Sequence, residues 1–193
     1  MKRITTLICA ALLFAACNNS QEQQNPADEQ NPTATDPALT EKSQEQILRD
    51  AISDYLVKEI GSQYAQGKLC IPVLTMVATE EQDADHSLVW GDFWVFNYNL
   101  AGDTLKTVSG GNHSGCMTVQ KQDGTFTITS FEQTVDGAGY EASAKRIFGQ
   151  YYDKFQKVQS DQAARKEQLK EYVSQHGLNA RCYQDYGREA VEL

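Results

Sequence analysis

Basic residues are scarce in this chain: 17 Lys and Arg stand against 26 Asp and Glu, for a formal net charge of −9. A nucleic-acid partner is thereby disfavoured, because phosphate binding needs a basic face. So is a polybasic grip on anionic lipid. Long apolar runs are also missing; the longest, Ile4 to Ala16, is too short to cross a bilayer as a helix. Histidine is limited to three residues. No spacing of His, Cys, Asp or Glu matches a metal signature, and no glycine-rich loop carries the Lys and following helix of a phosphate cradle. No internal repeat is present. What the chain does have is an ordinary apolar content of 40%, enough for a core.

The N-terminus reads as a targeting segment over residues 1–16. Met1-Lys2-Arg3 is a short positive stretch, followed by the apolar run and then by Phe14-Ala15-Ala16-Cys17. Small residues just before a cysteine resemble the lipobox of bacterial lipoproteins, with Phe14 where that pattern usually has Leu. The resemblance implies cleavage before Cys17 and lipid attachment to it, so that the membrane partner is reached through that lipid. Asn18 rather than Asp after the cysteine implies the outer membrane rather than the inner one. The alternative is an ordinary secretory signal that happens to contain Cys17. Asn18 to Lys42 is rich in Gln, Asn, Pro, Thr and acid and nearly without large apolar residues. Such a composition cannot bury enough surface to offset chain entropy, and 17–42 is expected to be the lipidated cysteine and a flexible tether.

A single α+β domain is expected over 43–193. Ser43 followed by Gln46 fits a helix cap, and Ile47, Leu48, Ala51, Ile52, Tyr55, Leu56 and Ile60 fall on one face. Lys68 to Thr79 alternates as a strand apolar on both sides, with Pro72 indicating an edge or a bulge. Val89 to Asn99 is a second strand with Trp90, Trp94, Phe96 and Tyr98 on one face and Phe93 and Val95 on the other. Thr104–Ser109, Cys116–Lys121 and Thr125–Glu132 complete an antiparallel meander of four to five strands, with Gly110–Gly115 as a loop or bulge. Asp123-Gly124 is the signature of a two-residue type I′ hairpin. That turn pairs Gln122 with Thr125, Val119 with Ile128 and Met117 with Ser130, and puts Phe126 on the core face. Tyr140–Gln159 is a helix with Gly149 inside as a close-packing point. A third helix, Asp161–Gln175, capped by Ser160, is thin in apolar residues and is expected at the periphery.

Candidate chemistry is sparse. His113, three residues from Cys116 in a glycine-rich stretch, suggests a thiolate–imidazolium pair; the plainer alternative is a bulge with His113 facing water. Asp92 shares a face with Trp90, Trp94 and Tyr98. A carboxylate in an aromatic pocket can serve as general acid or base, and those aromatics are the ligand-binding candidates. The alternative is a sheet face buried under a helix, with Asp92 hydrated near a strand end. Glu80–His86 is dense in oxygen ligands but lacks the glycine and closing Glu of a Ca²⁺ loop, so no metal and no cofactor are expected. Beyond the signal, Cys70, Cys116 and Cys182 remain. Cys70–Cys116 is the favoured disulfide among three pairings, the alternative being three buried thiols.

The order helix, antiparallel sheet, helix resembles the cystatin-like or NTF2-like α+β class over residues 43–159. The whole resembles uncharacterised lipid-anchored proteins of that kind from Gram-negative bacteria. That class hosts enzymes and binding modules alike. Two functional expectations follow: a lipid-anchored, non-catalytic binding or interaction module of the cell envelope with a protein or small-molecule ligand, or a hydrolase or isomerase with its site in the sheet's concave face around Asp92 and His113. An enzyme needs polar groups converging in one apolar pocket, whereas a module has that concavity filled by aromatics.

Overall fold

The computed structural model describes residues 42–193. The expectations placed on residues 1–41, including lipidation of Cys17, lie outside the described residues.

The chain enters at α1 (Gln44–Tyr55), where the Ser43 hydroxyl accepts the Gln46 backbone N–H at 3.2 Å. Its apolar stripe continues through a π-helical turn, Leu56–Ile60, and Leu48, Ile52, Leu56 and Ile60 are all buried. Four antiparallel strands follow: β1 (Leu69–Glu81), β2 (His86–Ala101), β3 (Thr104–Gln122) and β4 (Thr125–Gln133). Two short strands, β5 (Cys182–Gln184) and β6 (Val191–Glu192), extend the sheet, β5 lying parallel to β3. The result is an α+β fold with a mixed sheet covered on both faces. α1 packs on Leu74, Phe93, Val95, Met117 and Val119. Helices α2 (Tyr140–Phe148), α3 (Tyr152–Val158) and α4 (Gln162–Gln175) cover the opposite face, against Ile71, Val77, Trp90 and Tyr98.

β1 lies at the edge, as Pro72 requires. Its outward groups are satisfied by side chains rather than by another strand. Gln168 accepts the Leu74 N–H at 2.8 Å and donates to the Leu74 carbonyl at 3.2 Å, and Arg49 and Lys154 donate to the carbonyls of Leu74 and Val77. Side-chain capping of this kind blocks edge-to-edge pairing.

Several expectations need correcting. Gly110–Gly115 is not a loop: β3 runs unbroken through it, paired with β2 from Thr104 to Gln120. The glycines instead solve close contacts within the strand. Gly110 sits at φ +139° by a register shift opposite Asn97 and Tyr98, and a Cβ on Gly115 would lie 2.1 Å from the Glu132 carbonyl oxygen. Tyr140–Gln159 is two helices, because Gly149 adopts φ 48°, ψ −120° and stops α2; a Cβ there would meet open space, so it is a breaker and not a packing point. Asp161, not Ser160, caps α4, accepting from the Ala163 and Ala164 N–H groups. That helix is not peripheral, since Arg165, Leu169 and Val173 are buried.

The Asp123-Gly124 turn has positive φ at both residues, 49° and 77°, the type I′ pattern. Gln122 faces Thr125 and Val119 faces Ile128 as expected, but a bulge between Thr118 and Val119 then sets Met117 opposite Phe131 instead of Ser130. Phe126 is half-buried rather than in the core, and Thr127 is exposed. Gly124→Val is therefore expected to cost about 1–3 kcal/mol through backbone strain. Phe126→Ala should cost about 1–2 kcal/mol, below the range for a fully buried Phe. Thr127→Ala should cost under about 0.5 kcal/mol. Urea melts of the three variants check this order; Thr127→Ala as the most damaging would overturn the register.

Candidate functional site

On β2, residues 90, 92, 94, 96 and 98 point to the side of α2–α4, and the concavity expected there is filled. Trp90 is 8% exposed and its indole donates to the Ile147 carbonyl at 2.8 Å. Trp94 is 7% exposed and Tyr98 is fully buried. Into the space beside them α4 inserts Arg165, itself 1% exposed. Its guanidinium lies 4.2 Å from the Phe96 ring centroid, 4.7 Å from Tyr183 and 5.4 Å from Trp94. It donates to the Tyr98 hydroxyl at 2.8 Å and makes two bonds of 2.8 Å to the Asp185 carboxylate. Burial works against the guanidinium charge, but Asp185 and Tyr98 outweigh it and hold the group protonated. The same pairing, opposed by partial burial, lowers the Asp185 carboxyl below its ordinary range.

Asp92 is 1% exposed and sits in mid-sheet, not hydrated near a strand end. Its Oδ1 accepts from Ser114 Oγ at 2.6 Å and Asn112 Nδ2 at 2.7 Å. Its Oδ2 accepts from the Ser160 N–H at 2.7 Å and Trp94 Nε1 at 3.0 Å. Four donors from β2, β3 and the α3–α4 turn thus compensate a buried carboxylate. Ser160, a non-glycine residue at φ 57°, is held there by this bond.

His113 lies opposite Phe93 and Asp92 opposite Ser114, so the two candidates project from opposite faces. The His113 ring is engaged at both nitrogens: Nε2 with the Tyr64 hydroxyl at 3.1 Å, Nδ1 with Gln133 Oε1 at 2.7 Å. Cys116 lies on the other face from His113, and burial, with the Glu132 and Glu80 carboxylates, pushes its thiol up to about 11. That opposes the thiolate a nucleophile needs. Neither the Asp92–His113 site nor the His113–Cys116 pair is assembled.

The expected disulfide is absent too. Cys70 pairs with Asn97 and Cys116 with Trp90, seven positions apart on β2, roughly 23 Å at strand rise. All three described cysteines are free. Among the described residues no group of three or more His, Cys, Asp and Glu is arranged to hold a metal, and no helix is long and apolar enough to cross a membrane.

Sequence reasoning missed Arg165. The signal was there: Arg165, Leu169 and Val173 recur every four residues on one helical face, which places the arginine in the apolar stripe.

Concavities lie elsewhere. A cleft of about 430 Å³ opens between the N-terminal end of α1 and the β1–β2 and β3–β4 hairpins, with Leu48, Met76 and Phe126 in its lining. A groove of about 570 Å³ runs between α1 and β4, and one of about 660 Å³ between α1 and α4 along β1. Comparison with protein-family models, curated proteins and solved structures finds no match to this chain.

Proposed function

We propose that this chain is a lipid-anchored protein of the cell envelope, held at the outer membrane through lipid on Cys17, whose domain is a non-catalytic binding or interaction module. The anchoring rests on the positive start, the short apolar run and Ala15-Ala16-Cys17. The module reading is carried by one observation: the concave face that would house chemistry is occupied by Arg165 and its aromatic neighbours, with the polar candidates turned to opposite faces. The order of one helix, a four-stranded antiparallel meander and further helices supports a cystatin-like or NTF2-like grouping, alongside lipid-anchored proteins of Gram-negative bacteria.

Two measurements test the reading. Cys17→Ser is expected to abolish labelling with a palmitate analogue and to release the protein from the membrane fraction; equal retention of the variant would sink the anchor. The purified chain should show no turnover of ester, amide or phosphoester substrates. Turnover abolished by His113→Ala, in a variant that remains folded, would favour the hydrolase instead.

A further inference from the structure

We infer that the cleft at the start of α1 binds a basic peptide segment of a protein partner, taking the stem of an Arg or Lys side chain on its apolar floor and the cationic head at its acidic rim. The inference rests on the module reading and names the chemistry of its partner.

The floor comes from three elements: Leu48 of α1, buried, and Met76 of β1 and Phe126 of β4, both half-buried. Methionine and an aromatic ring make an adaptable apolar seat for an alkyl stem. The chain's own Lys121 already holds its ammonium 5.7 Å from the Phe126 ring centroid at the cleft wall, so the floor takes the alkyl stem and the ligand's cationic head is placed at the acidic rim. The rim carries Glu45, Glu81 and Asp85, all exposed, and none has an ion-pair partner among the described residues. Asp83 is different. It binds the His86 ring at 2.9 Å and accepts the Asp85 N–H at 2.8 Å, so it fixes the loop that presents Glu81 and Asp85.

Charge selects this cleft over its neighbours. In the groove between α1 and β4, Asp50 and Glu59 are already paired with Lys42 and Lys58, which leaves one carboxylate, Asp54, and in the groove along β1 Lys42 and Arg49 stand beside Asp50, Asp54 and Glu171. In the cleft three carboxylates on two elements stand free around an apolar floor, which a single small cation cannot neutralise and a chain bearing several cationic heads can. The net charge of −9 steers such a chain toward the protein. Anionic lipid headgroups are repelled by the same rim.

The test uses the full chain in detergent micelles and a fluorescein-labelled pentapeptide of alternating arginine and alanine, followed by anisotropy. Saturable binding is expected at micromolar concentrations. It should weaken about fivefold or more in the double variant Glu81→Gln, Asp85→Asn, whose exposed positions leave the fold intact. Raising salt from about 0.1 to 0.5 M should weaken it similarly. Asp54→Asn with Glu59→Gln, in the neighbouring groove, should leave binding unchanged. Absence of saturable binding would overturn the inference, as would equal weakening by the neighbouring-groove variant. Competition by n-butylguanidinium at the same concentrations as the peptide would overturn a peptide occupant. Turnover assays on the same chain separate the inference from the module reading. Turnover of an ester, amide or phosphoester abolished by His113→Ala, with peptide binding kept, sinks the module reading and leaves the cleft. No turnover in a chain that binds no peptide sinks the cleft alone.

Discussion

Arg165→Ala is expected to destabilise the domain by about 3–5 kcal/mol in urea melts. The arginine is the largest side chain buried to below 2% exposure, and its removal opens a cavity among Trp94, Phe96 and Tyr183. It also takes the guanidinium donor from the Tyr98 hydroxyl and leaves Asp185 with only the Thr107 hydroxyl, at 2.7 Å, among its side-chain donors. Arg165→Met keeps most of the volume and should recover part of the loss, because a well-packed apolar side chain can replace a buried ion. Asp185→Asn should also destabilise, because it leaves the buried Arg165 guanidinium without its counter-charge, whereas the 35% exposed Asp185 side chain can rehydrate when Arg165 is removed. The acid limb gives a second readout. The folded Asp185 carboxyl lies below its ordinary 3.8, so its stabilisation is full above that value and is lost as pH falls through the lowered one. Removing Arg165 should flatten stability across that acid window. A cost under about 1 kcal/mol for Arg165→Ala would mean the arginine does not hold the C-terminal strands to the sheet.

How much of this was legible follows from the range over which each cue acts. Period-two alternation assigned the faces of β1 and β2 correctly, because β pleating is a local rule. The Asp123-Gly124 turn fixed the nearer half of the β3–β4 register for the same reason. The bulge at Thr118 and Val119 was not legible, since no residue type there requires it. Gly110–Gly115 suggested a loop because glycine composition is the same whether a chain turns or lets a neighbouring backbone approach. Only the pairing with β2 distinguishes the two. Gly149 misled in the opposite direction: helical spacing continues across it, and its positive φ leaves no trace in the pattern. Among site residues, parity alone separates His113 from both Asp92 and Cys116 once β3 is one continuous strand. The Arg165–Asp185 pair depends on a tertiary contact between residues 20 apart, and a charge on an apolar stripe is its one local sign.

The same distinction between a catalytic and a structural carboxylate can be measured at Asp92. Asp92→Ala is expected to cost about 3–5 kcal/mol. Four donors lose the carboxylate at once, Ser114 alone keeping an alternative acceptor in Asn112 Oδ1 at 2.9 Å, and hydrogen bonds to a charged group are each worth about 1.5–3 kcal/mol, less than additively when water can enter. Asp92→Asn should cost about 2–4 kcal/mol although it preserves the volume. The amide oxygen can serve the Ser114 and Asn112 side or the Trp94 and Ser160 side. Trp94 and Ser160 can only donate, so the oxygen serves that side, and the NH₂ then faces Ser114 and Asn112, which must reorient to accept it. The backbone at Ser160 is the sensitive reporter, because its φ of 57° is maintained through its N–H bond to Oδ2. Amide exchange at Ser160 should accelerate in both variants, while exchange in α1, on the opposite face, should follow only the change in global stability. A general acid or base would behave differently: its amide variant would keep the melt and lose turnover. Asp92→Asn with wild-type stability and unchanged exchange at Ser160 would show that this carboxylate is not the tie between β2, β3 and the α3–α4 turn.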